Sequence, residues 1–474
     1  MTTCGAHSIN STSALAPDVA ARLQRYDKPG PRYTSYPTAV EFTDAFDEAA
    51  YRGRLEAASL MTDQPLSLYV HLPFCEERCL YCGCMTIITQ RREVAGRYLL
   101  YLEREIEMLA EALQRRRTVV QHHWGGGTPT YLTVEQIEHL HAVISRHFAV
   151  QVDAETAIEI DPRVTTREQL RTLRSLGFNR LSMGVQDFAP EVQNAIGRLQ
   201  PERATRELYD YARSIGFNSI NLDLIYGLPR QNVTSFGRTL ATVTGMRPDR
   251  IAVYSYAHVP WLRPHQKYIA AAELPPREVK LQLIGAAIES FVAAGYMPIG
   301  MDHFALADDE LAVAARERRL HRNFMGYTTR RATDMVGVGL SAIGDVCGAF
   351  AQNLKKLPAY YAAIDARRFP IDRGYMLTND DAIRRQIIAD LMCNFFVGRR
   401  AIENRFGIDF DQYFGSELET LTAPSGPVAD GVLQISPEGL EVADDGRLFV
   451  RSICMHFDRY LRRHAERPTF SRTI

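Results

Sequence analysis

A chain of 474 residues has room for one large domain and a smaller one, and its 55 basic against 56 acidic residues create no global field that would draw it to nucleic acid or an anionic membrane. With 46% hydrophobic and 23% charged residues it reads as an ordinary globular protein, neither disordered nor membrane-embedded. No stretch reaches the roughly 18 uninterrupted apolar residues of a membrane span, and the first residues lack a basic region followed by an apolar run, so the expected location is the cytoplasm.

Residues 1–50 carry "GPRYTSYPT" (30–38), whose glycine and prolines argue for a loop, so this part is read as an N-terminal arm. From residue 66 onward, apolar β-branched runs alternate with segments of helical period. The strand runs are "LSLYVHL" (66–72), "VVQHHW" (119–124), "TAIEI" (156–160), "RLSMGVQ" (180–186), "SINLDLIYG" (219–227) and "RIAVYSYA" (250–257). Amphipathic stretches such as 95–116, 133–148 and 234–246 lie between them and are long enough to be crossover helices. The pattern predicts an α/β fold, a partial TIM-like (β/α)6 barrel over 51–376, with 297–305 and 334–345 completing or closing its open side. Beyond 376 the pattern predicts a small, mainly helical C-terminal domain over 377–474, with a hairpin turning at Asp444, Asp445 and Gly446. A winged-helix-like fold is one reading of that domain, but it lacks the basic face of a DNA binder.

The chemistry-bearing residues fall at strand ends, which a parallel barrel gathers on one face. "CEERCLYCGC" (75–84) follows the first strand and "GGGTPT" (125–130) the second; Glu159 and Asp161 end the third, Gln186 and Asp187 the fourth; Asp223 sits in the fifth, and Tyr256 and Ala257 end the sixth. The remaining cysteines, Cys4, Cys347, Cys393 and Cys454, are scattered, which fits a reducing compartment and not a disulfide framework. Structural zinc normally draws on two separated pairs, whereas Cys75, Cys79 and Cys82 can each take one corner of an iron-sulfur cube and leave one iron open to a small molecule. Neither zinc nor a redox CxxC accounts for the third spacing. The glycine run is neither a P-loop nor a dinucleotide fingerprint; it permits close backbone approach to a zwitterionic or phosphate-bearing ligand, whose ammonium or hydroxyls a carboxylate such as Glu159 can hold.

The Cys-x3-Cys-x2-Cys run after a first barrel strand resembles the radical S-adenosylmethionine enzymes. More narrowly, "GPRYTSYPT", "YVHLPFC", "CLYCGC", "HWGGGTPTYL", "IEIDPR", "LSMGVQDF", "AIGRLQ", "NLDLIYGLP", "YSYAHVPW", "NFMGYTT", "GVGLSAIGD" and "FSRTI" resemble, nearly end to end, the oxygen-independent coproporphyrinogen III oxidase family. That resemblance implies a 4Fe-4S cluster on Cys75, Cys79 and Cys82, and a 5'-deoxyadenosyl radical generated from S-adenosylmethionine. The reaction implied is oxidative decarboxylation of two propionates of coproporphyrinogen III to vinyls, giving protoporphyrinogen IX in haem synthesis. It also implies contacts from Tyr69, Tyr81, Gly126, Glu159 and Ile343 to the cluster-bound S-adenosylmethionine, and from Gly127, Thr128, Gln186, Arg198, Asp223 and Ala257 to a second molecule of it. Tyr81 stands where the family often has Phe, which keeps an aromatic ring at that place.

Tyr69 and His71 lie two apart in a strand and so face one way, beside the cluster; His71 reads either as a proton donor or positioning group, or as a hydrogen-bonded core histidine. A substrate with four carboxylates asks for local arginines, and Arg32, Arg163 and Arg322 are the candidates. The arm is expected to cover the barrel mouth. Cys84 should not be a ligand; its Gly-Cys pair marks the decarboxylase branch, and it is kept, with Tyr69 and His71, as a catalytic candidate. The rival branch, a haem chaperone that binds and delivers haem, shares the triad but lacks Gly83-Cys84 and the arm motif. The remaining expectations are a one-electron donor of the flavodoxin type, no nucleic-acid or membrane partner, and a monomer.

Overall fold

The computed structural model of the chain describes residues 25–331, 334–464, 470 and 472. Cys4 and the first half of the arm lie outside the described residues. Among the described residues no helix is long and apolar enough to cross a membrane.

Six strands, β1 (Leu66–Leu72), β2 (Thr118–Gly126), β3 (Ala149–Ile160), β4 (Arg180–Gln186), β5 (Ser219–Tyr226) and β6 (Arg250–Ser255), each pair in parallel with the next. Four more lie after them: β7 (Tyr296–Gly300), β8 (His303–Leu306), β9 (Asp334–Val338) and β10 (Ile343–Val346). With β11 (Ala349–Asn353) and β12 (Ile371–Met376) the sheet reads β12-β11-β10-β9-β1-β2-β3-β4-β5-β6-β8-β7, an open (β/α)6 barrel with an extension at each edge. Residues 297–305 and 334–345 therefore do not close the open side together, as expected, but lengthen opposite edges. The turn at Met301 and Asp302 is too short for a crossover, so β7 and β8 are antiparallel, and the four residues between β9 and β10 impose the same on that pair. Only β9 joins in parallel, beside β1.

Side-chain alternation builds the lumen. Along β5, Ile220, Leu222 and Leu224 are wholly buried in the core under the helices, which turns Asn221 and Asp223 to the barrel interior. On β1 the core face is Leu68, Val70 and Leu72, and the inner face is Ser67, Tyr69 and His71. Ser67 donates to Gln121 Oε1 at 2.9 Å, Gln121 to Glu155 at 2.9 Å, and Asn323 and Thr328, from the hairpin His321–Asn323 and Gly326–Thr328, bond to Gln121 and Glu155 at 2.9 and 3.0 Å. One end of the barrel is thus plugged by hydrogen-bonded polar residues. The crossover helix Arg92–Leu113 buries Ala95, Tyr98, Leu99, Leu102, Ile106, Leu109 and Leu113, a stripe at helical spacing. Capping boxes at Thr133 with Gln136, Thr166 with Gln169 and Asn232 with Ser235 start three others.

The arm ceases to be loop before residue 50: Asp47 caps a helix, Glu48–Ser59, by accepting from the Ala50 N–H at 2.9 Å. Its described part is laced to the far end of the chain. Tyr26 donates to Asp430 at 2.7 Å, Tyr33 to Asp458 at 3.0 Å, and Arg451 to the Gly30 carbonyl at 2.8 Å. After β12 the described residues form the helix Asn379–Asn394, four shorter α-helices and a three-stranded sheet of β13 (Phe396–Gly398), β15 (Gly439–Val442) and β14 (Leu433–Ile435), with β15 in the middle. The hairpin turns at Ser436, Pro437 and Glu438, not at Asp444–Gly446. Ser436 Oγ accepts from the Glu438 N–H at 3.2 Å, closing the turn, whereas Asp444–Phe449 is a 3-10 helix. A Cβ on Gly446 would lie 2.1 Å from the Val432 carbonyl oxygen, so its glycine serves close packing and not a hairpin.

Candidate active site

A cavity of about 930 Å³ opens at the C-terminal ends of the parallel strands, near the upper end of the range for small-molecule sites. The thiol-bearing residues Cys75, Cys79, Cys82 and Cys84 all line it, together with Tyr81, Gly126, Gly127, Thr128, Glu159, Gln186, Arg198, Asp223 and Ala257. Tyr69, His71 and Ile343 do not.

The cysteine loop leaves β1 through a two-residue strand, Phe74–Cys75, paired with Ile87–Ile88. Cys79 is buried, Cys75 and Cys82 are half-buried and Cys84 is exposed. Cys75 Sγ lies 3.4 Å from Thr128 Oγ1, and burial pushes its thiol up to about 11. The Cys82 thiol is drawn below its usual value, foremost by the side-chain hydrogen bond with Cys84, whose backbone N–H also donates to Cys82 Sγ at 3.4 Å. Cys79 Sγ accepts from Arg163 Nη2 at 3.5 Å and Arg198 Nη1 at 3.6 Å. Among the described residues no three His, Cys, Asp or Glu side chains converge as the ligands of a single metal ion. Cys75, Cys79 and Cys82 all line one cavity, as a cluster that takes one thiolate per iron requires.

The glycine run sits over the loop's base. Gly126 has φ +116°, and a Cβ there would lie 2.6 Å from the His71 ring; a Cβ on Gly127 would lie 2.6 Å from the Pro73 carbonyl carbon. Only glycine lets the backbone lie this close to β1 and the start of the cysteine loop. His71 therefore stands one layer behind the cavity wall. Its Nε2 donates to the Met85 carbonyl at 3.2 Å and its Nδ1 accepts from the Tyr69 hydroxyl at 3.0 Å, which fixes the neutral tautomer. Burial lowers its basicity further. Both ring nitrogens are engaged, Nε2 as donor and Nδ1 as acceptor.

Glu159 accepts from the Gly126 N–H at 3.1 Å and faces His123 Nε2 at 3.3 Å. Burial pushes its carboxyl up, but the His123 hydrogen bond and charge outweigh that and hold it below the usual value. Asp161 binds Arg198 at 3.0 Å and Arg163 at 2.7 Å; Asp161 and Arg198 are buried and Arg163 half-buried against Cys79. Gln186, with φ 69°, ends β4. Asp223 accepts from Asn221 at 2.8 Å and Ser182 at 3.0 Å, and burial pushes its carboxyl up to about 6.

The three arginines chosen for the substrate diverge. Arg32 lines the cavity, 3.1 Å from Asp302 and with its guanidinium 5.6 Å from the Tyr254 ring. Arg163 lines it too, but at Cys79, as part of the Asp161 triad. Arg322 is not brought to the cavity: its guanidinium donates to the Arg32 carbonyl at 2.9 Å and lies over Tyr327, so it secures the arm. Two residues that no motif singled out do belong to the site. His265 and Gln266, in the turn Pro264–Tyr268 after β6, hold the carbonyls of Cys82 and Tyr81 at 2.7 and 3.0 Å.

The barrel, the thiol triad at its mouth and the glycine run define a radical S-adenosylmethionine enzyme, and residues 69–243 match the radical SAM superfamily. Residues 377–449 match the HemN C-terminal domain. Oxygen-independent coproporphyrinogen III oxidases from Salmonella typhimurium and Escherichia coli are 48% and 47% identical to this chain, each over 96% of it and 98% of the relative; that of Synechocystis is 43% identical over the same shares. The solved coproporphyrinogen III oxidase of Escherichia coli, described as a radical SAM enzyme, superposes with a TM-score of 0.87 at 46% identity, covering 91% of this chain and 98% of that one. The chain belongs to the oxygen-independent coproporphyrinogen III oxidases.

Proposed function

We propose that this chain removes two propionate carboxyls from coproporphyrinogen III, each as CO2 with loss of one hydrogen atom and one electron, to leave two vinyls. The observation that carries this is the single cavity that joins Cys75, Cys79 and Cys82 to Gly126, Glu159, Arg198 and Asp223. A 4Fe-4S cluster with S-adenosylmethionine would supply the one-electron radical chemistry there; the protein's part is placement and exclusion of solvent. Cys75, Cys79 and Cys82 would hold the cluster, and Tyr81, Gly126 and Glu159 the S-adenosylmethionine on its open iron, with Tyr69, His71 and Ile343 supporting from behind. Gly127, Thr128, Gln186, Arg198, Asp223 and Ala257 would hold a second S-adenosylmethionine.

Arg32 would meet a substrate carboxylate, and the arm that carries it would cover the mouth. Cys84, exposed in the same cavity, would act in turnover and not as a ligand. The chain would work as a monomer in the cytoplasm, fed single electrons by a flavodoxin-type donor. Gly83-Cys84 and the arm motif favour this over the haem-chaperone branch. The test is anaerobic reconstitution with iron and sulfide, then incubation with coproporphyrinogen III, S-adenosylmethionine and a reductant. Protoporphyrinogen and 5'-deoxyadenosine are expected; stable haem binding without vinyl product would overturn the reading.

A further inference from the structure

Among the cations that line the cavity are Arg263, Lys355 and Arg373, none of which hydrogen-bonds to the thiols or the carboxylates described above. They come from opposite ends of the sheet order. Arg263 sits in the loop after β6, while Lys355 follows β11 and Arg373 lies in β12. Their own counter-charge is thin. Lys355 Nζ lies 3.5 Å from Asp372, with both side chains more than a third exposed, and Arg373 donates to the neutral Gln352 at 2.8 Å. The half-buried guanidinium of Arg263 has no ion-pair partner among the described residues. The Lys355 ammonium is held below its usual value, first by burial and then by the charge of Arg373, with Arg263 also opposing it; Asp372 pulls the other way. Three cations sharing one carboxylate repel one another, and a bound anion would relieve that repulsion.

The rim also has an apolar lip: Leu262, 59% exposed, lines the cavity beside Arg263. A flat apolar ring edged with carboxylates would match both. We propose that Arg263, Lys355 and Arg373 form a carboxylate subsite for the two propionates that coproporphyrinogen III keeps. This rests on the proposed function. With the retained pair held at the rim, the ring is oriented so that a propionate due to react points inward toward the cysteine loop. Two arginines suit this task, since each can grip a carboxylate with two parallel hydrogen bonds. Arg32, paired with Asp302 and also lining the cavity, is left for the inner carboxylate.

The test uses the reconstituted holoenzyme and two stable porphyrins, coproporphyrin III with four propionates and protoporphyrin IX with only the retained two. Arg263→Gln, Arg263→Lys, Lys355→Met and Arg373→Gln are compared by fluorescence titration, and KM for coproporphyrinogen III is measured with dithionite as reductant so that no donor protein is involved. A subsite for the retained pair predicts roughly tenfold weaker binding of both porphyrins and a higher KM, with iron content unchanged and partial rescue by Arg263→Lys. Weakened binding of coproporphyrin III alone would assign the rim to the reacting pair, and unchanged binding of both would remove the subsite; either overturns the proposal. Arg263 is on a loop, so its variants keep the test usable if Arg373→Gln disturbs β12. A parent enzyme that makes no vinyl product would instead sink the function on which the proposal rests.

Discussion

Nε2 of His265 lies 2.7 Å from the carbonyl oxygen of Cys82, tying the loop after β6 to the third of the spaced thiols, 183 residues away in sequence. The carbonyl can only accept, so the imidazole donates from Nε2. Gln266 repeats the device on the Tyr81 carbonyl at 3.0 Å. The cysteine loop has little regular structure of its own beyond two-residue strands at its ends, so these donors set its shape. His265→Ala should loosen it by about 1 kcal/mol, roughly a fivefold faster release of iron to an anaerobic chelator. Release at the parental rate would show that the pin does not hold the loop.

Cys84 touches Cys82 Sγ through its backbone N–H, which a serine keeps, and through its thiol, which a serine replaces with a hydroxyl. Cys84→Ser should therefore retain the parent's iron content while turnover falls, whereas Cys79→Ser should lose iron. Iron and sulfide assays on the two reconstituted variants, side by side, decide it. Equal loss would make Cys84 a ligand.

Arg32 and Asp302 meet at 3.1 Å where the arm reaches the cavity. Burial pushes the Asp302 carboxyl up, but the His303 hydrogen bond at 2.8 Å and the Arg32 charge hold it far below the usual range. Arg32 is therefore fixed in place before any substrate arrives. Arg32→Ala should raise KM for coproporphyrinogen III about tenfold, the worth of one charge-assisted hydrogen bond of about 1.5 kcal/mol. Removal of residues 1–40 should depress decarboxylation further while leaving the cluster's absorbance intact. Parental KM in Arg32→Ala would exclude the contact.

These residues mark where sequence reading works and where it stops. Alternation along β1 and β5 is local, so the inward face of Tyr69 and Asp223 was legible, and so was the thiol triad, whose spacing is its own signature. The edges of the sheet were not, because a strand's partner depends on the length of the connection as much as on its own residues. His265 and Gln266 resemble any polar pair in a loop until the fold carries them to Cys82 and Tyr81. Arg322 shows the converse: an arginine beside a motif read as substrate-facing, yet it holds the arm's backbone. The Asp444–Gly446 stretch carries a turn signal that the chain uses to start a 3-10 helix.

Glu105, on the helix Arg92–Leu113, is fully buried and accepts from Tyr360 at 2.5 Å, Asn353 at 2.6 Å and the Gly339 N–H at 2.7 Å. Two helical turns away from it on the N-terminal side, Tyr98 donates to the His71 carbonyl at 2.7 Å and accepts from the Leu340 N–H at 2.9 Å. The helix thereby holds the β9–β10 turn against the strand that carries His71. Burial pushes the Glu105 carboxyl from 4.5 up to about 7, with the three donors opposing. A carboxyl raised on folding favours the native state fully at pH below its unfolded value, and that contribution is lost as pH rises through about 7. The full difference is worth at most about 3 kcal/mol. Glu105→Gln cannot titrate, so the parent should gain thermal stability relative to this variant as pH falls from 8 to 5, by several degrees. A gap in Tm between the two that stays constant across that range would mean that Glu105 keeps one protonation state throughout, and that the turn beside His71 is held by geometry alone.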